Sequence, residues 1–251
     1  MTKSIDLNAD LGEDESPTGI ARDIAIMDIV SSCNVACGGH AGSLATMSTM
    51  ARAAKEKNVA VGAHPSYPDR ENFGRQSIDI SIEDLAKALA DQLTVMKTAA
   101  RETGVMLQHL KPHGALYNDA QDDLALSQLL VAIAKAEQWT LVGMSRSVMQ
   151  AKAIEQDARF LCEGFIDRRY DQSARLVSRA EAGAVIGDND GRLSQGLALA
   201  QARPVAAEDG SHVLIAAQTL CLHSDSDGAL GTAKAMSDIL QKNGFIIEAQ
   251  H

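Results

Sequence analysis

Short β-type runs alternate with helical runs along the whole chain, and that rhythm leaves few folds open. Period and composition predict strands over residues 4–10, 59–66, 140–145, 160–165, 212–217, 219–224 and 245–249, a short one from Val35 running into a Gly-rich corner that ends at Gly42, and another opening at Val105 and broken at Pro112. Helical repeats are expected over 43–58, 81–104, 119–138, 147–156, 189–203 and 228–244, with a short one inside 13–30. Such alternation builds parallel strands in βαβ units, which an open doubly wound sheet and a closed barrel share. The polar residues separate the two. Asp10, His40, His64, His113, Asp167 and His223 each stand at the C-terminal end of a different run, spread over the whole chain. A barrel gathers all its strand ends round one mouth, whereas an open sheet collects only those near its switch point. The chain therefore reads as an α/β protein forming one β/α barrel over residues 1–251, with no internal repeat or low-complexity linker to mark a boundary.

The stretch 105–118, VMLQHLKPHGALYN, carries this device most plainly. Pro112 cannot donate to a sheet ladder and so ends or edges the strand. A strand running unbroken to its end would put Leu107, His109, Lys111 and His113 on one face. Two imidazoles and an ammonium need partners inside a core, so they suit the wall of a pocket better. Gly114 follows, with no side chain to keep a neighbour away. Residues 4–10 alternate in the same manner: Ile5, Leu7 and Ala9 on one face, Asp6, Asn8 and Asp10 on the other. That polar face is either a wetted edge or a pocket wall, and the turn Leu11-Gly12-Glu13 favours the wall.

A mixed histidine and aspartate set suits Zn, Mn, Co or Fe. A lone histidine at a strand end is more often packed and hydrogen-bonded than a ligand. Four at equivalent rims argue for a site. The expectation is that Asp10, His64 and His113 bind a divalent metal and leave a position open for water or substrate. Asp10 would otherwise serve as general base, and His40 and His223 as acid–base residues. Lys111 would neutralise a developing oxyanion or phosphate; its alternative is a surface cation snorkelling at the rim. Asn8, Arg75, Asp167 and Arg168 are the expected substrate-binding residues. Of the six arginines in the two longest loops, one or two suit bidentate pairing with a carboxylate and the rest suit solvent. No nucleotide-binding glycine loop and no G-x-S-x-G elbow occurs, and Gly38-Gly39-His40-Ala41-Gly42 fits an anion cradle or a tight turn equally.

Composition narrows the partners. A net charge of −10 argues against nucleic acid or an anionic membrane and points to a small molecule. The N-terminus has no apolar core of a signal peptide and no run approaches the ~20 residues of a membrane span, so a cytoplasmic location is expected. The four cysteines are expected to be buried, reduced thiols.

Together, IDLNADLGE (5–13), SSCNVACGGHAG (31–42), VAVGAHPSYPD (59–69) with FGR (73–75), LKPHGALYN (110–118), GAVIGD (183–188) and LCLHSD (220–225) resemble the LamB/YcsF family, whose members are assigned as a component of 5-oxoprolinase. The resemblance covers nearly the whole chain in order and spacing. It implies an irregular seven-stranded parallel β/α barrel related to glycoside hydrolases and metal-dependent deacetylases. It also implies ATP-dependent opening of 5-oxoproline (pyroglutamate) to L-glutamate, with two partner subunits. In the related deacetylase-like barrels a first-strand Asp and two later His residues hold a metal, positions that fall on Asp10, His64 and His113. A five-membered lactam is a resonance-stabilised amide with little ring strain, so coupling to ATP is a sensible route, with partners supplying or completing the nucleotide site. Two other functions remain open: a metal-dependent deacetylase or amidohydrolase without ATP, and a non-catalytic subunit that binds a small carboxylate. The chain departs from the family in having Gly39 for an aromatic and Ser43-Leu44 for Asp-Pro, and in its acidic 13–30 loop.

Overall fold

The computed structural model describes residues 3–225 and 228–250. Its elements in chain order begin β1 (Lys3–Leu11), α1 (Pro17–Ile26), β2 (Ser32–Ala36), α2 (Leu44–Lys57), β3 (Ala60–His64) and α3 (Ile82–Thr103). The middle of the chain forms β4 (Leu107–Leu110), α4 (Gly114–Asp119), α5 (Leu124–Glu137), β5 (Thr140–Gly143), α6 (Val148–Glu155) and β6 (Phe160–Phe165). It ends with α7 (Asn189–Ala200), β7 (Val205–Ala206), β8 (His212–Val213), β9 (Thr219–His223), α8 (Ala229–Lys242) and β10 (Phe245–Ile247).

Strands β1 to β6 pair in sequence order, β9 pairs with β6, and β9 also pairs with β1 from Asp6↔Thr219 to Asp10↔His223. That last ladder closes a seven-stranded parallel barrel, as the resemblance implied. The strand β10 joins only the start of β1, at Lys3↔Phe245, outside the ring.

Local chemistry sets the helix ends. Ser43 caps α2 by accepting from the Thr46 amide, and Ser81 caps α3 by accepting from the Asp84 amide. Gly104 closes α3 in the left-handed region, where a missing Cβ removes the strain. Leu85, Leu89, Leu93 and Met96 form the buried stripe of α3. With few aromatics available, the core between helices and barrel is Leu, Ile, Val, Met and Ala, each large aliphatic side chain contributing roughly 1.5–3 kcal/mol.

The barrel interior is polar instead. The Asp6 carboxylate accepts from Ser31 (2.6 Å), Ser32 (2.8 Å) and Thr219 (2.6 Å). Above it, the Asn8 amide donates to Thr219 (2.6 Å) and Glu163 (3.1 Å), and the Asn34 amide donates to Asn8 and Asp10 (both 2.8 Å). The ring of His109 fits because Gly62 faces it; a Cβ there would come within 2.0 Å. The polar face of residues 4–10 is thus a barrel lining, and only its last member reaches the mouth.

Four expectations on elements change. The short strand expected from Val35 lies earlier, as β2, and runs into the expected Gly-rich corner at 37–42. The strand β4 stops at Leu110, so Lys111 and His113 follow it rather than belong to it. The helix expected over 119–138 starts later, as α5, with Asp123 capping it by accepting from the Leu126 amide, and a separate short helix, α4, precedes it. The run 212–217 contributes only β8, which pairs antiparallel with β7 away from the barrel. All four cysteines are free and buried. Among the described residues no helix is long and apolar enough to cross a membrane.

Candidate active site

Parallel strands bring their C-terminal ends to one rim, and there a cavity of about 650 Å³ opens, lined by Asp10, His64, Lys111, His113, Arg168 and His223 among others. Arg75 also lines it. His40 and Asp167 are buried and stand behind this lining, against His113 and His223 respectively. Asn8 lies lower, in the polar barrel interior, where its amide is already committed to Thr219 and Glu163.

The turn after β4 places His113. Its amide donates to Pro65 O (2.8 Å), and Gly114 has φ +58°, a region that favours glycine. A Cβ on Gly114 would lie 2.4 Å from the Gly74 carbonyl oxygen. The neighbour admitted by that missing side chain is therefore the chain's own 73–75 loop, whose Phe73 carbonyl lies 3.0 Å from His113 Nε2.

Lys111 is not a rim cation. Its side chain is 2% exposed, with Nζ 2.8 Å from Asp10 Oδ1, 2.8 Å from Glu163 Oε1 and 3.1 Å from Cys221 Sγ. Burial alone would lower its pKa, but the Asp10 carboxylate, with Cys221 and Glu163, outweighs that and holds it well above the ordinary value. Burial pushes the Asp10 carboxyl up, and His64 with Lys111 overcomes it, so Asp10 sits well below the usual carboxylate range. The second oxygen of Asp10 then faces His64 Nε2 at 3.5 Å and His223 Nε2 at 3.9 Å. Strand-end position does not single out Glu163, although one acid inside the apolar run FLCEGF is a readable signal.

A second cluster joins Glu13, His40, His64 and His113. His64 Nδ1 lies 2.8 Å from the Lys111 carbonyl and His113 Nε2 faces the Phe73 carbonyl, so both contacts need an N–H. These partners place an N–H on His64 Nδ1 and on His113 Nε2, so that in neutral rings the lone pairs of His64 Nε2 and His113 Nδ1 face each other at 3.0 Å. Two opposed lone pairs repel unless a proton or a cation lies between them. Burial, reinforced by neighbouring imidazoles, holds the pKa values of His113 and His40 well below normal, which favours their neutral forms. Glu13 Oε1 adds negative charge 3.3 Å from His113 Nδ1 and 3.2 Å from His40 Nε2. This donor set fits a divalent transition metal. Asp10 belongs to a different group, with Cys221 and His223, whose charge the Lys111 ammonium already neutralises. Glu13 and His40 thus join the expected His64 and His113, while Asp10 stands beside them with one oxygen committed to lysine. From sequence, Glu13 reads only as part of a turn.

His223 and Asp167 form a pair, Nδ1 lying 2.9 Å from Oδ2, with Phe165 stacked on the imidazole at 5.8 Å. Burial raises the Asp167 carboxyl, and the facing His223 more than offsets this, leaving it below its ordinary value. An imidazole so braced presents Nε2 to the cavity in a fixed orientation.

The model of the LamB/YcsF family matches residues 5–251. A lactam utilization protein from Thermus thermophilus superposes with a TM-score of 0.88 at 33% identity, over 98% of this chain and 99% of that one. A family 4 carbohydrate esterase from Streptomyces lividans, in complex with acetate, gives a TM-score of 0.53 at 11% identity over 99% and 93% of the two chains. A structure described as T48 deacetylase with substrate gives 0.50 at 13% over 98% and 87%. The last two likenesses concern the barrel fold alone.

Proposed function

The chain belongs to the LamB/YcsF family, and from that premise we propose that it opens the lactam ring of 5-oxoproline to L-glutamate, as one subunit of an ATP-dependent enzyme completed by partner subunits. The observation that carries this reading is the pairing, at one cavity, of an ionised buried carboxylate on Asp10 with a braced imidazole on His223. The Thermus protein's description as a lactam utilization protein supports the substrate class.

In this reading Lys111 keeps Asp10 ionised and fixes one of its oxygens, leaving the other free to accept a proton from water attacking the lactam carbonyl. The new C–O bond forms as the ring C–N bond breaks. His223, oriented by Asp167, gives a proton to the departing nitrogen, which becomes the amine of glutamate. A divalent cation held by Glu13, His40, His64 and His113 would polarise the carbonyl and acidify water. ATP enters because phosphorylation of the amide oxygen, with release of ADP, would turn an unreactive lactam into a good electrophile, a step assigned to partner subunits; ring opening by water then leaves an acyl phosphate, whose hydrolysis gives the glutamate carboxylate and inorganic phosphate.

The cation cluster also favours a second reading, a metal-dependent amidohydrolase or deacetylase that needs no ATP. One assay separates the possibilities: 5-oxoproline turnover with and without ATP and partner subunits. ADP release coupled to glutamate formation supports the first reading, and ATP-free hydrolysis the second. Binding without turnover under every condition makes the chain a carboxylate-recognising subunit, and no binding at all removes the substrate.

A further inference from the structure

Three guanidinium groups line the cavity, and the proposed chemistry uses none of them. Arg168 is 4% exposed; its Nη2 donates to the Val177 carbonyl (2.6 Å), while its buried Nε has no hydrogen-bond partner. Arg75 and Arg179 line the same cavity, and both reach one carboxylate oxygen, Oδ2 of Asp225, at 2.8 Å and 3.8 Å. Arg75 also lies over the Phe73 ring, 4.7 Å from its centroid. Burial and the nearby Arg179 charge pull Arg168 down to about 10. A buried guanidinium N–H without an acceptor costs free energy that an incoming anion would relieve.

We propose that Arg168 and Arg179, with Arg75 at the rim, form the subsite for a substrate carboxylate, and that Asp225 is an internal stand-in holding Arg75 and Arg179 until that carboxylate arrives. Guanidinium groups match the planar, two-oxygen geometry of a carboxylate and keep their charge when partly buried. The Asp225 side chain is 39% exposed, so leaving the arginines for solvent costs it little desolvation. The site then selects lactams that bear a carboxylate over neutral lactams. The identity of the lactam rests on the function proposed above; the anion preference does not.

The test is calorimetric titration of the full chain with L-5-oxoproline, with 2-pyrrolidinone (the same ring without the carboxylate), and with glutarate and inorganic phosphate. Wild type is expected to bind 5-oxoproline roughly tenfold or more tighter than 2-pyrrolidinone. Arg168→Met and Arg179→Gln should each erase most of that difference, weakening 5-oxoproline far more than 2-pyrrolidinone. Asp225→Asn should tighten 5-oxoproline binding, a gain that structural damage would not produce. Wild-type affinity for 5-oxoproline in both Arg179→Gln and Asp225→Asn overturns the subsite, as does tighter binding of phosphate than of any carboxylate. Should wild type bind neither lactam, the proposed function fails and glutarate decides the subsite: binding weakened by Arg179→Gln keeps it, while absent or unaffected binding ends it.

Discussion

Lys111 is where burial and charge conflict most sharply, because its ammonium sits inside the barrel with Asp10 and Glu163 on either side. Removing one partner of a buried ion pair costs roughly 3–5 kcal/mol, since the charge left behind has lost both water and its counter-ion. Lys111→Met is therefore expected to lower the unfolding free energy by about that amount in urea titrations, and adding Glu163→Gln to recover part of it. A loss under about 1 kcal/mol would mean the carboxylates are not held in this way. Asp167 supplies a pH test. Its carboxyl is more acidic folded than unfolded, so the stability it contributes is complete above the ordinary value of 3.8 and is lost as pH falls through the lower folded value. Unfolding midpoints between pH 5 and 3 should fall less steeply in Asp167→Asn than in wild type. The residues of this site were legible wherever a polar side chain interrupts an apolar pattern at a strand end, as with Asp10, His64 and His223. Which of them share a ligand position was not, because that depends on which ring nitrogen each backbone carbonyl occupies.

Elements set the precision with which these residues meet. The 73–75 loop and the turn into α4 interlock: Gly114 leaves room for the Gly74 carbonyl, which accepts from the Ala115 amide (2.9 Å), while the Phe73 carbonyl faces His113. Gly114→Ala would collide with that carbonyl and strain φ +58°, displacing the loop that fixes the imidazole tautomer. Loss of such outer support weakens metal binding roughly 10–100-fold, measurable with a competing chelator even if overall stability falls. Unchanged affinity would show that the loop does not orient His113. Caps and amphipathic stripes made α2 and α3 readable to within a residue or two, since Ser43, Ser81 and Gly104 act locally. The start of α5 at Leu124 and the separate α4 before it were not readable, because local pattern sets element ends only to within a few residues and Asp123 declares itself as a cap only once the chain turns. Gly39, where the resemblance leads one to expect an aromatic, is explained by packing. A Cβ there would lie 2.4 Å from Gln92 Oε1, and that amide accepts from the Ser66 amide and donates to its carbonyl, pinning the loop after β3.

At the scale of the whole molecule, the four groups of the cation cluster follow four successive strands of the ring: Glu13 after β1, His40 after β2, His64 at the end of β3 and His113 after β4. Unfolding the barrel separates all four, so an ion that binds the cluster favours the folded state by mass action. The barrel form itself was legible from polar residues spread over six strand ends, but this adjacency was not, because strand order is fixed by pairing that no local pattern records. At a hundredfold excess over its dissociation constant, an ion adds about 2.7 kcal/mol, which for a domain of this size raises the melting temperature by roughly 5–10 °C. Chelator-treated protein titrated with Zn, Mn, Co or Fe should show that rise for at least one ion, growing with ion concentration. His64→Ala and His113→Ala should each abolish the rise relative to their own metal-free baselines, which separates loss of the ligand from any general loss of stability. Asp225→Asn, which removes none of the four ligands, should keep it. An equal rise in the histidine variants would place the ion elsewhere. No rise with any of the four metals would mean that the opposed lone pairs of His64 and His113 are reconciled by a shared proton, leaving Asp10 and His223 to act without a Lewis acid.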